Sequence, residues 1–215
     1  MSYLAERREE EKERRRLEII EAAEGLYAAR GWDVLTMDQI ARAARLSRAL
    51  VYVYFKDKDD LLLAIAGRGM EKLAERFREA TRNVERGLDK MEAMGRAYIV
   101  FGTEFPHYFD AETRFQSGHK LGEDRPCEAD CGLAATKVHD VLVDTLRLGL
   151  ADGSIRPDIG DVDIVSIATW AFSHGLVRIA TAKGADLRER GVSVDQLIAE
   201  SIGMIRFMLA ARSPG

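Results

Sequence analysis

The chain has 215 residues, 47% apolar and 32% charged, with a net charge of −4; this excludes a disordered or fibrous chain and fits one large domain or a small domain fused to a larger one. The acidic balance argues against indiscriminate coating of nucleic acid but leaves room for a local basic face, because only charges within a Debye length of about 8–10 Å act strongly on a phosphate. Cys127 and Cys131 give no disulfide framework, the charged N-terminus lacks the apolar core of a secretory signal, and no apolar run approaches the length of a membrane span, so a cytoplasmic location without a membrane partner is expected.

All four prolines lie at or beyond Pro106, which leaves the first half open to long helices. From Arg7 to Arg16 acids and bases interleave at three- and four-residue spacing, the pattern of a solvated helical extension. From Leu17 the positions Ile20, Ala23 and Tyr27 follow helical spacing, and Gly31 is the natural left-handed stop. Thr36 opens a short helix that turns Met37, Ile40, Ala41 and Ala44 inward, and Ser47 caps another after a brief break at Arg45-Leu46. Two short helices joined so tightly form a helix-turn-helix.

A long helix is expected from Lys58 to about Thr81, and another from Leu88 to Phe105, ending at Pro106. The segment from His107 to Cys131 is less regular. Helical spacing resumes from Leu133 to Leu150. After the loop "ADGSIRPDIGD", Asp161 or Asp163 caps a helix to Ala182, and a last helix runs from about Val194 to Ala211. The run Leu50-Val51-Tyr52-Val53-Tyr54-Phe55 has strand composition, but it is short, follows a Ser cap and has no partner strand, so it reads as the second short helix and its exit.

"TMDQIARAARLSRALVYVYFKDKDDLL" resembles the DNA-binding segment of the tetracycline-repressor (TetR) family of bacterial transcription regulators. The matching positions are Thr36, Ile40-Ala41, Ser47, Tyr52-x-Tyr54-Phe55, Lys58 and Leu61-Leu62. The likeness covers about the first sixty-five residues. Further on, "TWAFSHGLVRI", with Trp170, His174 and Gly175, is similar to a Trp-x-x-x-His-Gly stretch of one ligand-domain subgroup. The resemblance implies an all-α chain: a helix-turn-helix domain over residues 1–62, whose fourth helix begins near 58 and links the domains, and a helical effector-binding and dimerisation domain over 63–215. It also implies a cytoplasmic, sequence-specific regulator and not an enzyme. Its partners would be a palindromic double-stranded operator, a second copy joined through the last two helices, and a small-molecule effector that releases a repressor from DNA.

The N-terminal residues of a recognition helix lie at base edges in the major groove, here Ser47, Arg48 and Ala49, with Tyr52 one turn on. Arg48 is the candidate for a guanine contact. The resemblance places Thr36, Tyr52, Tyr54 and Lys58 at sugar–phosphate or base-edge positions. Val51 and Phe55 read as core. Arg45 stands where the family usually has Gly; keeping a left-handed backbone there costs up to ~1–2 kcal/mol. Either the turn differs or the strain is tolerated for a charge near DNA, and an exposed arginine without contact is the plain alternative.

In the second domain, Val165, Ala168, Phe172, Leu176 and Ile179, with Leu197, Ile198, Ile202, Ile205 and Leu209, could form a four-helix bundle between two copies. Phe101, Phe105, Tyr108, Phe109, Phe115, Trp170 and His174 could line an effector pocket, although each is equally an ordinary core residue. No cofactor is required. A metal- or thiol-responsive regulator is the alternative, because Cys127 and Cys131 at i, i+4, flanked by His119 and His139, could hold zinc. A helical-bundle enzyme is more distant: di-iron chemistry needs two Glu-x-x-His pairs, and only Glu104-x-x-His107 is present, interrupted by Pro106.

Overall fold

The computed structural model describes residues 3–116 and 126–211, which form ten helices with no strand among them. The sole sheet-like pairing among these residues is an isolated bridge between Ile155 and Ala210. The helices are α1 (Tyr3–Arg30), α2 (Met37–Ala43), α3 (Arg48–Tyr54), α4 (Lys58–Thr81) and α5 (Gly87–Glu104), followed by α6 (Pro106–Gln116), α7 (Pro126–Ala151), α8 (Val162–Ala182), α9 (Gly184–Glu189) and α10 (Val194–Leu209).

Packing divides the chain less simply than a single cut between 62 and 63. One compact unit takes residues 1–69 and 106–133; the other takes 70–105 and 134–215. The long helices α4 and α7 each run from one unit into the other.

In the first unit, α1 buries Ile19, Ile20, Ala23 and Tyr27, to which α2 adds Met37, Ile40 and Ala41 and α4 adds Leu61 and Ile65. The charged lead-in continues α1 without a break. It is laced by exposed pairs such as Arg14–Glu11 at 2.6 Å and Arg15–Glu18 at 3.0 Å, each worth a few tenths of a kcal/mol. The helix α6 was not expected from the irregular composition after His107. Pro106 explains it: proline stops α5, yet at the first position of a helix its missing N–H costs nothing, so the same residue starts α6. Pro126 likewise opens α7, seven residues before the expected start.

In the second unit, Leu73, Phe77, Met91, Met94, Tyr98, Leu146, Val177, Ile202 and Ile205 are buried. Asp161, of the two aspartates considered, caps α8 by accepting from the Ile164 amide at 3.0 Å. A reciprocal Ser193–Gln196 capping box starts α10, which ends at Leu209 where Ala210 turns to its bridge. The start of α5 is capped from elsewhere in sequence: Asp152 accepts from the Gly87 amide at 2.7 Å and Ser154 from the Leu88 amide at 3.0 Å. At this point α5 and α7 touch backbone to backbone. A Cβ on Gly87 would lie 2.2 Å from the Gly149 nitrogen, and one on Gly149 would lie 2.4 Å from Ile155 Cδ1.

Two expectations need correction. First, α8 is 21 residues long and, by length and composition alone, apolar enough to cross a bilayer. Its inner side buries Ser166, Ser173, Leu176, Val177 and Ala180, whereas Ile164, Ile167, Phe172 and Ile179 are exposed. Second, the apolar stripe expected to meet a second copy is only partly outward. Leu176, Ile202, Ile205 and Leu209 fill their own unit, and the outer side of α10 is Met204, Phe207 and Met208, with Phe207 87% exposed. The helical spacing was right, but two apolar sides on one helix cannot be told apart from the sequence.

Gly87→Ala is expected to cost about 2–3 kcal/mol or more, because the added methyl meets main-chain atoms that cannot rotate away. Gly95→Ala, on the same helix with nothing within 4 Å of its new Cβ, should be neutral or better. Denaturant unfolding of the two variants measures the difference.

Candidate nucleic-acid interface and effector cavity

The helix-turn-helix is assembled from local hydrogen bonds. Thr36 accepts from the Gln39 amide at 3.3 Å while the Gln39 side chain accepts from the Thr36 amide at 2.9 Å, a closed capping box at the start of α2. At its end, Leu46 N–H reaches the Ala41 carbonyl and Arg45 N–H the Arg42 carbonyl, the two bonds of a Schellman motif. That motif needs a left-handed residue between them, and Arg45 supplies it with φ 57°, the only positive-φ non-glycine among the described residues. The turn therefore keeps its left-handed conformation and carries the strain. Ser47 then accepts from the Leu50 amide at 3.2 Å and starts α3.

On α3, Val51 and Phe55 are fully buried, as expected, and Phe55 lies 5.7 Å from the Arg16 guanidinium. Ser47, Arg48, Ala49, Tyr52 and Val53 are exposed along the opposite side, and Tyr54 is half-buried at its margin. Val53, 75% exposed, belongs to this side although the sequence had suggested no contact role for it. Its four-residue spacing from Ala49 was the available signal. The Arg48 guanidinium lies 5.5 Å from the Tyr52 ring centre, with Nη2 3.4 Å from the hydroxyl. The two side chains thus cover each other, and the neighbouring hydroxyl favours the charged guanidinium. Arg42, Arg45 and Lys56 are exposed nearby in sequence.

Lys58 has a second occupation. Its ammonium donates to the Trp32 carbonyl at 2.5 Å and sits 5.0 Å from the Trp32 ring, and partial burial pushes its pKa down. The same loop between α1 and α2 is held from α6: Arg114 forms two 2.9 Å bonds to the Asp33 carboxylate and one of 2.7 Å to Asp110, which also accepts from the Tyr27 hydroxyl at 2.5 Å. Arg114 and Asp33 are 81 residues apart, so no spacing rule reveals them.

The aromatic residues proposed as an effector pocket are divided between the two units. Tyr108 and Phe109 are buried in the first unit, where the Tyr108 hydroxyl donates to Glu24 at 2.9 Å. The Phe115 side chain lies outside the described residues. Phe101 and Phe105 face each other at 5.3 Å in the second unit, with Lys72 and Arg76 near the Phe105 ring. Trp170 lines a cavity in the second unit, of about 410 Å³ including its opening to solvent. Phe77, Met91, Met94, Gly95, Tyr98, Val138, Leu142, Thr169, Ser173 and Ile205 complete the lining. His174 supports the wall from behind, its Nδ1 2.9 Å from the Tyr98 hydroxyl, and burial lowers its pKa and favours the neutral ring. Sequence reading missed the α5 contribution because methionines at helical spacing look like ordinary core.

The proposed zinc ligands are likewise divided between the two units. Cys127 and Cys131 are buried in the first unit, and burial pushes both thiols up to about 11, away from the thiolate that binds metal. His139 belongs to the second unit, beside Ser166 at 3.3 Å and Asp163 at 3.4 Å. His119 lies outside the described residues. Among those described, no three His, Cys, Asp or Glu side chains are grouped to hold a metal.

Residues 19–65 match the model of the bacterial regulatory proteins of the tetR family, a span that contains the whole capped α2–turn–α3 arrangement. The helix-turn-helix segment of the chain is that of a tetR-family regulatory protein. The chain is similar to the HTH-type transcriptional regulator HbdR of Aromatoleum sp. (strain CIB), 29% identical over 168 residues, which are 75% of this chain and 71% of that one. The fold recurs in a regulatory protein of the tetR family from Rhodococcus RHA1, with TM-score 0.68 and 18% identity over 93% of this chain and 98% of that one. It recurs again in AibR crystallised with isovaleryl coenzyme A and operator DNA, with TM-score 0.62 and 22% identity over 89% and 97%. The chain is accordingly a DNA-binding transcriptional regulator.

Arg45→Gly relieves the left-handed strain but adds backbone freedom to the unfolded chain, so a net gain of up to about 1 kcal/mol is expected. Thermal unfolding against the Arg45→Ala variant, which keeps the strain and loses the side chain, measures it.

Proposed function

We propose that this regulator is a homodimeric repressor that reads a palindromic operator through α3 and leaves it when a small molecule occupies the α5–α7–α8–α10 cavity. The observation that carries this reading is the exposed row Ser47, Arg48, Ala49, Tyr52 and Val53 on a helix whose other side packs inward through the buried Val51, with Leu50 and Tyr54 half-buried beside it. In the groove, Arg48 leaves Tyr52 for a guanine edge, a contact worth ~1–3 kcal/mol of discrimination if bidentate. The Tyr52 ring and Val53 then offer apolar contact to thymine methyls. Thr36, Arg45, Tyr54 and Lys58 supply phosphate contacts, Lys58 with whatever hydrogens its two loop carbonyls leave.

Dimerisation is supported by the exposed apolar sides of α8 and α10. Ile164, Ile167, Phe172 and Ile179, with Met204, Phe207 and Met208, form two unpartnered rows in one unit, more apolar surface than a soluble monomer usually leaves open. A second copy covers both rows with the same rows of its own, and a two-fold axis sets the half-site spacing at a helical repeat or a multiple of it. The effector role rests on the largely apolar lining of this cavity, which bears no charged side chain among the described residues, and on AibR, a structural neighbour bound to both an acyl coenzyme A and its operator. Binding that favours one spacing of the two α3 helices over another lowers operator affinity without any chemical step.

Sites selected from a random DNA pool should share one palindrome, and binding should weaken steeply with salt. Arg48→Ala should relax selection at one base pair per half-site. Lys58→Ala should weaken all sequences alike and also lower stability, because the Trp32 carbonyl loses one of its two donors and keeps only the Leu35 amide. An Arg48→Ala variant with unaltered selection removes that residue from the base-reading set. Phe207→Glu should convert the dimer to monomer in sedimentation analysis while leaving helicity intact; an unchanged dimer places the interface elsewhere.

A further inference from the structure

The second-unit cavity carries information about what it accepts, beyond its size. None of the described residues lining it bears a charge. Its polar side-chain groups are three hydroxyls and the Trp170 indole N–H, and two of the hydroxyls, both on the α8 side of the wall, already have their hydrogen engaged. Ser173 donates to the Thr169 carbonyl at 2.9 Å, and Thr169 donates to the Val165 carbonyl. Each hydroxyl has one hydrogen and two lone pairs, so toward the cavity these two present acceptors only. The third, Tyr98, is paired with the neutral His174 ring at 2.9 Å. Whichever way that proton points, the pair adds no net charge.

Such a wall is selective. A carboxylate entering it would lose its hydration without meeting a cation, and it would face the lone pairs of Ser173 and Thr169. An ester, ether or thioester brings further acceptors to a surface already rich in them. An alcohol or phenol brings the one group the α8 hydroxyls lack. Met91, Met94 and Val138 would surround the apolar remainder.

We infer that the ligand of this cavity is an uncharged, largely apolar molecule carrying a hydrogen-bond donor, of the alcohol or phenol class, which binds with its donor toward Ser173 and Thr169. The assignment rests on the reading of the cavity as the effector site. It also separates this chain from a regulator answering to a free carboxylic acid or through a thioester carbonyl.

Three probes of nearly equal volume test it: 4-butylphenol, 4-butylanisole and 4-butylbenzoate. Binding to the full-length protein is read by calorimetry and by tryptophan emission. Trp170 and Trp32 are the two tryptophans of the chain, and only Trp170 lines the cavity, so Trp170→Phe should abolish the emission change. The phenol should bind saturably, about tenfold or more tighter than the anisole and tighter still than the benzoate. Ser173→Ala combined with Thr169→Val should lower phenol affinity to that of the anisole and leave the anisole unchanged. Both replacements remove hydroxyls bonded only within α8 in the helices described, so helicity should persist. Benzoate or anisole binding as tightly as the phenol overturns the inference, and so does the absence of a saturable phenol response. The same probes in an operator mobility-shift assay keep the two readings apart. Phenol bound at Trp170 without operator release leaves the ligand class standing and removes the effector role. Operator release by benzoate with a saturable Trp170 response does the reverse: the effector role stands and the ligand class falls.

Discussion

The recognition helix is seven residues long, well below the roughly twelve to fifteen at which an isolated helix becomes even marginally stable in water. Burial of Val51 and Phe55 is the constraint on which its existence depends. Those two side chains fix which side of α3 faces inward and therefore which residues face outward. They also explain why the segment can afford strand-forming residues. Packing and the Ser47 cap override the intrinsic preference of Val, Tyr and Phe, and the β-branched and aromatic side chains that would weaken a solvated helix become the exposed surface.

A helix held by two side chains needs a rigid surrounding. The turn before it is fixed by the Schellman bonds through Arg45, and the loop before α2 is fixed twice. Lys58 holds the Trp32 carbonyl from α4, and Arg114 holds the Asp33 carboxylate from α6. Both α4 and the segment beginning at Pro106 continue the chain into the second unit. The loop ahead of the DNA-facing helices is thus tied to the elements that leave the domain, which is the physical basis a ligand signal requires.

How much of this was legible follows from the range of each interaction. Caps, the buried pair Val51–Phe55 and the helical spacing of α8 and α10 depend on residues within a few positions of one another, and the sequence displays them; that Arg45 keeps the left-handed turn and which apolar side of α10 faces inward are set by packing. Pro106 was legible as a stop but not as a start, because both roles use the same missing N–H. The Arg114–Asp33 pair, the Asp152 and Ser154 caps on α5 and the cavity wall depend on residues tens of positions apart, and nothing local marks them. The aromatic residues chosen for the pocket show the same limit: all are large and apolar, but which unit encloses each is decided by tertiary packing. The two cysteines illustrate the converse. Their spacing suggested a shared chemistry, and burial favours the protonated form of each thiol, with the Arg16 guanidinium 3.6 Å from Cys127 Sγ.

The contact of Gly87 with Gly149 sets how the cavity can change width. Two helices touching backbone to backbone at one end cannot separate there without losing the Asp152 and Ser154 bonds, so any widening between α5 and α7 is an opening of legs about a common point. Displacement then grows in proportion to distance from that point. At 1.5 Å of rise per residue, Met91 is about 6 Å along α5 from the pin and Tyr98 about 16 Å. A given angular opening therefore moves Tyr98 nearly three times as far, and Tyr98 is the residue whose hydroxyl meets His174 of α8. The geometry acts as a mechanical amplifier whose output end is a single hydrogen bond.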